Sequence, residues 1–224
     1  MLKCSEGAFF MIIGIVGLIG SGKDTAADYF CNFHEFRRGS FAGILKDAVS
    51  SVFGWDRELL EGRTKESREW REQVDPWWAK RLDMPQLTPR WVLQYWGTEV
   101  CRRGFHDDIW IAGLENKLRH TQDNVVISDC RFPNEIQAIR NQGGKIIHIQ
   151  RGFLPHWYDI AIQANRGAEN ARRFLEQEQI HASETSWIGQ TFDYTVDNDL
   201  GLDHLYSQLK NLAQYPQVAK AIET

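Results

Sequence analysis

Three short apolar runs predict the buried strands of the chain: residues 9–16 (FFMIIGIV), 124–130 (NVVISDC) and 145–150 (KIIHIQ). Each run is rich in β-branched residues and lacks a regular alternation with polar residues, which is typical of strands covered on both faces of a parallel sheet. Weaker runs at residues 36–42 and 192–196 predict two further strands. The pattern therefore indicates an α/β fold with a parallel sheet.

Helical patterns fill the segments between these strands. Residues 23–34 follow the first strand closely, and residues 133–142 begin at a proline, a favoured first helical residue, and stop at a glycine pair. The last predicted helix carries four leucines on one stripe, Leu202, Leu205, Leu209 and Leu212. Strands and helices that alternate at short spacing predict right-handed crossovers and a three-layer α/β domain.

Two segments interrupt this alternation. Residues 55–89 are charged and rich in tryptophan, and residues 152–183 form a long stretch between the fourth and fifth strands. Both are interpreted as mostly helical insertions on a single domain of residues 1–224, the second in the position of a lid. Residues 1–10 are interpreted as an N-terminal extension, with Met11 as an alternative start.

The apolar segment AFFMIIGIVGLIG, residues 8–20, also resembles the core of a signal peptide. It is too short to span a bilayer, and cleavage after it would destroy the glycine-rich loop that follows. The pattern therefore favours a buried first strand, residues 10–16.

The composition excludes some classes of function. The chain has 224 residues and a net charge of −4, which argues against a protein that wraps long nucleic acid. The four cysteines show no CxxC spacing, so neither a zinc site nor a disulfide framework is indicated, and a cytoplasmic location is expected. We expect no membrane partner, and the sequence leaves open whether the chain forms a homodimer.

A phosphate-binding loop follows the first strand. The segment GLIGSGK satisfies GxxxxGK between a predicted strand and a predicted helix, the context that this motif requires. Its glycines let backbone N–H groups surround a polyphosphate at the positive end of the helix. The residues predicted to bind a nucleoside triphosphate here are Gly17, Gly20, Ser21, Gly22 and Lys23, and a purely structural glycine turn is the alternative. The loop alone does not separate a kinase from a GTPase, a motor or a transporter subunit.

The residue after the lysine departs from the usual motif. Asp24 stands where Ser or Thr normally binds magnesium, and Thr25 comes one position later. Asp24 either stabilises the helix dipole, worth about 0.3–1 kcal/mol, or binds Mg²⁺ directly or through water. In the second case Thr25 offers its hydroxyl to an inner phosphate of ATP.

Five motifs together resemble the deoxynucleoside monophosphate kinases of tailed bacteriophages. They are GSGKDTAADYF (20–30), SFAGILKDA (40–48), TPRWVLQYWGTEVCRR (88–103), VVISDCRFPNE (125–135) and HASETS (181–186). The resemblance covers most of the chain from Phe10 to Leu212 and is weakest in the two insertions. It implies a P-loop kinase core whose five parallel strands have the order 2-3-1-4-5, with ATP and Mg²⁺ as cofactors.

The resemblance also implies roles for residues outside the loop. Arg90, Gln94 and Arg131 would bind the monophosphate acceptor, Lys46 would assist, and Asp129 would order magnesium or its water and act in catalysis with Lys23 and Arg131. Scattered cations suit a reaction between two anionic substrates, and a bidentate arginine suits a phosphate. The alternatives are an Arg131–Glu135 pair at a helix start and a solvated Arg90.

The remaining candidates lie near the second insertion and after the last strand. Arg151, Arg166, Arg172 and Arg173 are candidates for a lid that excludes water, although this insertion is longer than in compact members of the family. His181 and Glu184 match a family pattern without an assigned role. Asn198 stands where related kinases approach adenine. Trp91, Trp96 and Trp110 could stack on a base, but tryptophans more often serve in packing.

These observations lead to one main hypothesis and two alternatives. The chain is expected to phosphorylate deoxynucleoside 5′-monophosphates with ATP, for DNA precursor synthesis. A different small-metabolite kinase, such as a dephospho-coenzyme A kinase, would share the same core. A non-catalytic nucleotide sensor would bind the same ligands without phosphoryl transfer.

Overall fold

The computed structural model describes residues 10–222 of the chain and the side chains of residues 10–213. The predicted N-terminal extension therefore lies outside the described residues, except for Phe10. Five parallel strands form a sheet in the order β2-β3-β1-β4-β5, which confirms the predicted strand order. The strands are β1 (Ile12–Val16), β2 (Phe36–Gly39), β3 (Asn124–Ile127), β4 (Lys145–Gln150) and β5 (Tyr194–Asp197).

Twelve α-helices and one π-helix are described along the same residues. They are α1 (Lys23–Phe33), α2 (Phe41–Phe53), α3 (Arg57–Glu61), α4 (Lys65–Arg71), α5 (Pro76–Leu82), α6 (Pro89–Tyr95), the π-helix (Trp96–Arg103), α7 (Ile109–Arg119), α8 (Pro133–Asn141), α9 (Tyr158–Asn165), α10 (Glu169–Gln177), α11 (Ala182–Thr185) and α12 (Leu202–Ile222). Both predicted insertions are helical: α3, α4 and α5 lie within 55–89, and α9 and α10 within 152–183. Among the described residues, no helix combines the length and the apolar character needed to cross a membrane.

Two of the predicted strands are too long at their C-terminal ends. The predicted strand 36–42 ends at Gly39, and Phe41 already begins α2, because the apolar residues there follow a helical rather than an alternating pattern. The predicted strand 124–130 ends at Ile127, because the side chains of Ser128 and Asp129 bind residues of neighbouring segments.

The chain divides into two compact units. The first comprises residues up to Ser40 together with residues from Lys117 onward, and it contains the whole sheet. The second comprises Phe41–Asn116, and it contains α2 to α6 and the π-helix.

Helices cover both faces of the sheet in the first unit, as the three-layer prediction requires. Ile13 and Ile15 of β1 belong to one core cluster with Phe30 of α1 and Leu209 of α12. On the opposite face, Gly14 leaves so little room that a Cβ there would stand 2.6 Å from a methyl carbon of Ile139 on α8.

The second unit has its own core, made largely of aromatic side chains. Phe53 and Trp55 stack with ring centroids 4.5 Å apart, and Trp78 donates its indole N–H to the carbonyl of Phe53 at 3.0 Å. The indole of Trp55 donates to Asp75 at 2.8 Å, and Asp75 also caps α5. Trp55 and Trp78 of the first insertion therefore serve in packing, because each ring has a partner for its polar edge.

Two leucines of α12 test the packing of this helix on the core of the first unit, because one is buried and the other is exposed. Leu209 is fully buried, whereas Leu202, which was predicted to share its face, is 56% exposed because it is the first residue of the helix. We expect Leu209→Ala to lower the free energy of unfolding by about 2–5 kcal/mol. Leu202→Ala should change it by less than about 0.5 kcal/mol. Chemical denaturation of both variants measures the difference, and equal effects would contradict this placement of α12.

Candidate active site

The loop between β1 and α1 has the backbone of a phosphate-binding loop. Gly17 and Gly22 both have positive φ, 152° and 100°, and a Cβ at Gly17 would stand 2.5 Å from the carbonyl oxygen of Ile149. Gly22 is the N-cap of α1, and no side chain caps the helix there. The first N–H groups of α1 are thus left for an anion, which the positive end of the helix also favours.

Lys23 closes over this loop. Its amine donates to the carbonyl oxygens of Gly17 and Leu18, both at 2.8 Å. Burial lowers the pKa of Lys23, and the positive charge of Arg131 lowers it further, while Glu184 and Asp24 act in the opposite direction. Arg131, Glu184 and Asp24 come from three separate motifs of the sequence, and the charges of all three act on the Lys23 amine.

Asp24 is held by two residues that the sequence did not identify. Its Oδ1 accepts hydrogen bonds from Arg38 of β2 at 3.1 Å and from the hydroxyl of Ser128, after β3, at 2.7 Å. Arg38 also binds Asp28 at 2.6 Å, and its side chain is only 20% exposed. The carboxylate beside the loop therefore has a cation next to it, which offsets its repulsion of a polyphosphate.

Asp129 lies next to Ser128, at the carboxyl end of β3. Its Oδ2 accepts a hydrogen bond from Ser40 at 2.7 Å. Because β3 is the direct neighbour of β1, Ser128 and Asp129 come to the edge of the sheet at which the loop begins. No cluster of three or more His, Cys, Asp or Glu residues suited to a metal occurs in the described part of the chain. The carboxylates of Asp24 and Asp129 both offer oxygen atoms, the kind of ligand that magnesium prefers, and their predicted role as metal ligands stays a prediction.

The side chain of Arg131 does not pair with Glu135, which binds only its backbone. The Glu135 carboxylate accepts hydrogen bonds from the backbone N–H groups of Arg131 and Phe132, at 2.7 and 3.1 Å, and so caps the start of α8. The Arg131 guanidinium instead lies 3.3 Å from Ser183 Oγ and 3.8 Å from Glu184 Oε1. The alternative of an Arg131–Glu135 side-chain pair is therefore wrong.

The segment HASETS obtains a structural role from these contacts. His181 caps α11 by accepting from the N–H of Ser183 at 3.2 Å, and its ring also lies 2.9 Å from the Ser183 hydroxyl. Ser183 and Glu184 then hold Arg131, whose charge acts on Lys23. The sequence showed the pattern, but only the fold shows that it positions an arginine.

Two buried polar residues, Asn198 and His148, interact with residues of the loop or its lysine. Asn198 is buried, and its amide donates to the carbonyl of Ser21 at 2.8 Å. Its predicted contact with adenine stays a prediction. His148 of β4 lies against Trp187, with ring centroids 5.2 Å apart, and burial followed by the charge of Lys23 lowers the pKa of His148 to about 4.

The predicted lid arginines lie at exposed positions between β4 and β5. Arg151 follows β4, Arg166 ends α9, and Arg172 on α10 donates to the carbonyl of Ala164 at 3.3 Å. Arg173 lies 3.5 Å from Glu169. The two helices pack against each other. A lid role for any of these arginines stays a prediction.

The predicted acceptor residues Lys46, Arg90 and Gln94 belong to the second unit. The Lys46 amine binds Glu61 at 2.8 Å, and both side chains are largely buried. Arg90 on α6 is exposed and lies 3.2 Å from Glu72, which is also exposed, so the alternative of a solvated Arg90 stays open. Gln94 is exposed as well. Acceptor binding by these three residues stays a prediction.

The three tryptophans considered for base stacking differ in their surroundings. Trp110 is buried and donates to the carbonyl of Gly97 at 2.9 Å. Trp96 packs edge-on against Phe53, with ring centroids 5.3 Å apart. Trp91 stacks on Tyr95 with centroids 4.9 Å apart and lines a surface cavity. Packing accounts for Trp110 and Trp96.

Sequence comparisons relate the chain to one family of kinases. The sequence model of the deoxynucleotide monophosphate kinase family matches residues 78–159. A protein of Acanthamoeba polyphaga mimivirus, provisionally named a deoxynucleotide monophosphate kinase, is 37% identical over 155 residues, which are 63% of this chain and 74% of the relative. The deoxynucleoside-5′-monophosphate kinase of Escherichia phage T5 is 30% identical over 179 residues, which are 58% of this chain and 72% of the relative.

Solved structures are similar only at a low level. A shikimate kinase from Aquifex aeolicus has a TM-score of 0.44 at 10% identity, with 93% of this chain and 99% of that chain covered. A dephospho-CoA kinase from Campylobacter jejuni has a TM-score of 0.38 at 16% identity, with 91% and 96% covered. Values this low carry no argument about function, whereas the two sequence relatives are similar over most of their own length. The chain belongs to the deoxynucleotide monophosphate kinase family.

Proposed function

We propose that the chain transfers the γ-phosphoryl group of ATP to deoxynucleoside 5′-monophosphates, with deoxynucleoside diphosphates and ADP as products. The observation that carries the proposal is the arrangement at the start of α1. There Lys23 spans an uncapped helix N-terminus, and the charges of Arg131 and Asp24 act on its amine. Membership of a kinase family supports the same activity.

The first unit supplies the binding of ATP and the charge for phosphoryl transfer. The N–H groups at the start of α1 bind the β- and γ-phosphates, and the Lys23 amine exchanges the carbonyls of Gly17 and Leu18 for phosphate oxygens. An acceptor phosphate oxygen attacks the γ-phosphorus, and the bond to the bridging oxygen breaks with its electron pair left on ADP. Lys23 and Arg131 offset the negative charge of the transferred group.

Asp24 and Asp129 would hold magnesium. The ion would neutralise phosphate charge and orient the β- and γ-phosphate oxygens. Arg38 and Ser128 fix the Asp24 carboxylate in one orientation, because both bind the same oxygen. Ser40 does the same for Asp129.

Two further assignments complete the proposal. Arg90 and Gln94 of the second unit bind the phosphate of the acceptor, and Lys46 supports them from its ion pair with Glu61. Arginines of the second insertion, among Arg151, Arg166 and Arg172, cover bound ATP and exclude water, which would otherwise compete as acceptor.

A panel of acceptors tests the proposed function. ADP release from Mg-ATP is measured with dTMP, dGMP, dCMP and dAMP, with the four ribonucleotides, and with dephospho-coenzyme A. We expect at least one deoxynucleotide to stimulate release. Stimulation by dephospho-coenzyme A alone would identify a different kinase, and ATP binding without any stimulation would identify a nucleotide sensor.

Removal of the loop lysine should slow turnover strongly without unfolding the chain. We expect Lys23→Ala to lower kcat/KM for the best deoxynucleotide by about 10²- to 10³-fold, because a positive group at the transferred phosphoryl is lost. Lys80→Ala, at an exposed lysine of α5, serves as the control and should stay within about twofold of the wild type. Steady-state kinetics with circular dichroism measure both effects, and a Lys23→Ala enzyme of wild-type activity would refute the role of this lysine.

The adjacent arginines of β2 test the support of Asp24. Arg38 binds Asp24, Asp28 and Ser128, whereas Arg37 is 76% exposed and pairs with Asp123. We expect Arg38→Ala to raise the KM for Mg-ATP about tenfold or more, because the Asp24 carboxylate then faces the polyphosphate without its cation.

Arg37→Ala is the matched control for this variant. It should leave the KM for Mg-ATP within about twofold of the wild-type value, since a surface ion pair contributes little. Titrations of ATP at saturating acceptor and magnesium give both constants. Equal KM values for the two variants would show that Arg38 has no special role at the loop.

A further inference from the structure

Arg71, at the end of α4, is the feature of the second unit that the proposed function does not use. Thr64 caps α4 through a reciprocal pair of hydrogen bonds with Ser67, so the position of this short helix is fixed. The Arg71 guanidinium lies against Gly62, where an added Cβ would overlap it. The arginine is therefore packed on the backbone rather than extended into water.

The hydrogen bonding of this guanidinium is incomplete. Its Nε is buried and has no hydrogen-bond partner, a state that it shares only with Ser21 Oγ among the side chains that the structure describes. Its Nη1 lies 3.4 Å from the carbonyl of Leu60, at the outer limit of a hydrogen bond. A buried arginine with a structural role normally has its donors satisfied, because each unmet donor costs the free energy of its desolvation.

The charges around Arg71 leave it without a carboxylate of its own. Glu61 already binds Lys46 at 2.8 Å and Arg57 at 2.5 Å. Glu72, the next residue along the chain, lies 3.2 Å from Arg90. The described residues give Arg71 no ion pair, and α4 packs against α6, which carries Arg90.

Positive charge is therefore in excess at this place. Burial lowers the pKa of Arg71, and the charge of Arg90 lowers it further, while Glu72 and Glu61 compensate only in part. A guanidinium stays protonated in proteins, so the excess persists at neutral pH. An anion that accepted hydrogen bonds from Arg71 would satisfy the unmet Nε donor and balance the charge.

We propose that Arg71 binds the 5′-phosphate of the acceptor deoxynucleotide, with Nε and one terminal nitrogen as paired donors, beside Arg90. This inference rests on the proposed function, and it adds a residue that neither the motifs nor the family resemblance identified. The fork of an arginine matches two oxygens of a phosphate, whereas no amide or hydroxyl offers two such acceptors to one guanidinium.

Binding of nucleotide and nucleoside to three variants tests the inference. Arg71→Met keeps the bulk of the side chain without its charge, Arg71→Lys keeps the charge without the fork, and Arg81→Ala removes an exposed arginine of α5 as the control. Affinities for dTMP, dGMP, dCMP and dAMP and for the four matching deoxynucleosides are measured by calorimetry. We expect Arg71→Met to weaken deoxynucleotide binding by about 10- to 100-fold. Deoxynucleoside binding should stay within about twofold in every variant.

Thermal unfolding separates a binding role from a structural one. Without ligand, Arg71→Met should have a melting temperature equal to or above that of the wild type, because it removes an unmet donor and a repulsion with Arg90. Arg71→Lys should fold and show an intermediate loss of deoxynucleotide affinity. If the methionine variant does not fold, this loss alone distinguishes a binding role of Arg71 from a structural one. The inference would be overturned by two results together. Arg71→Met would be less stable than the wild type while Arg71→Lys is as stable, and Arg71→Lys would bind deoxynucleotides with unchanged affinity.

The same measurements distinguish failure of the inference from failure of the proposed function. Binding of deoxynucleotides by the wild type without ADP release would refute phosphoryl transfer. The ratio of the deoxynucleotide affinities of wild type and Arg71→Met would still show whether Arg71 binds the phosphate. Normal turnover with equal affinities of wild type and Arg71→Met would refute the role of Arg71 alone. Equal losses of affinity for nucleotide and nucleoside would also overturn the inference, because they would show that Arg71 does not act on the phosphate.

Discussion

The first turn of α1 begins with backbone N–H groups that no side chain caps. The residues around the loop in the first unit are arranged about these free hydrogen-bond donors. Gly22 allows the chain to enter the helix at positive φ, and Asn198 fixes the preceding residue through the carbonyl of Ser21. Water or an anion can satisfy the N–H groups of an uncapped helix start, and the positive end of the helix favours an anion. Lys23 spans the loop, and Arg131 and Glu184, brought there by separate segments, act on its amine.

The aspartate that departs from the usual motif belongs to the same arrangement. A free carboxylate next to the loop would repel polyphosphate, but Asp24 shares one oxygen between Arg38 and Ser128. Ser128 directly precedes Asp129, so two candidate magnesium residues are linked by one short segment at the end of β3. Arg38, which also pairs with Asp28, and Ser128 therefore hold the Asp24 carboxylate in place beside the loop.

The sequence predicted the parts of the structure that depend on local pattern. β1, β3 and β4 followed from their β-branched runs, and the strand order followed from the motifs that resemble one kinase family. Arg38 was missed because its partner Ser128 lies 90 residues away, and a pattern of alternation cannot show such a contact. Arg71 stands in a segment of alternating charge that is typical of a solvated helix, and only packing against Gly62 removes its water. Glu135 had a local signal, its position three residues after Phe132, which is the spacing of a helix cap.

Transfer of labelled phosphate tests the central claim most directly. ATP labelled at the γ-phosphorus is incubated with the chain, magnesium and each deoxynucleoside monophosphate in turn, and the labelled products are separated. The account predicts label in the deoxynucleoside diphosphate, in an amount equal to the ADP formed, with little in inorganic phosphate, because a kinase transfers the γ-phosphoryl group to a bound acceptor rather than to water. Label found in inorganic phosphate alone, or left entirely in ATP with every deoxynucleotide, would contradict it.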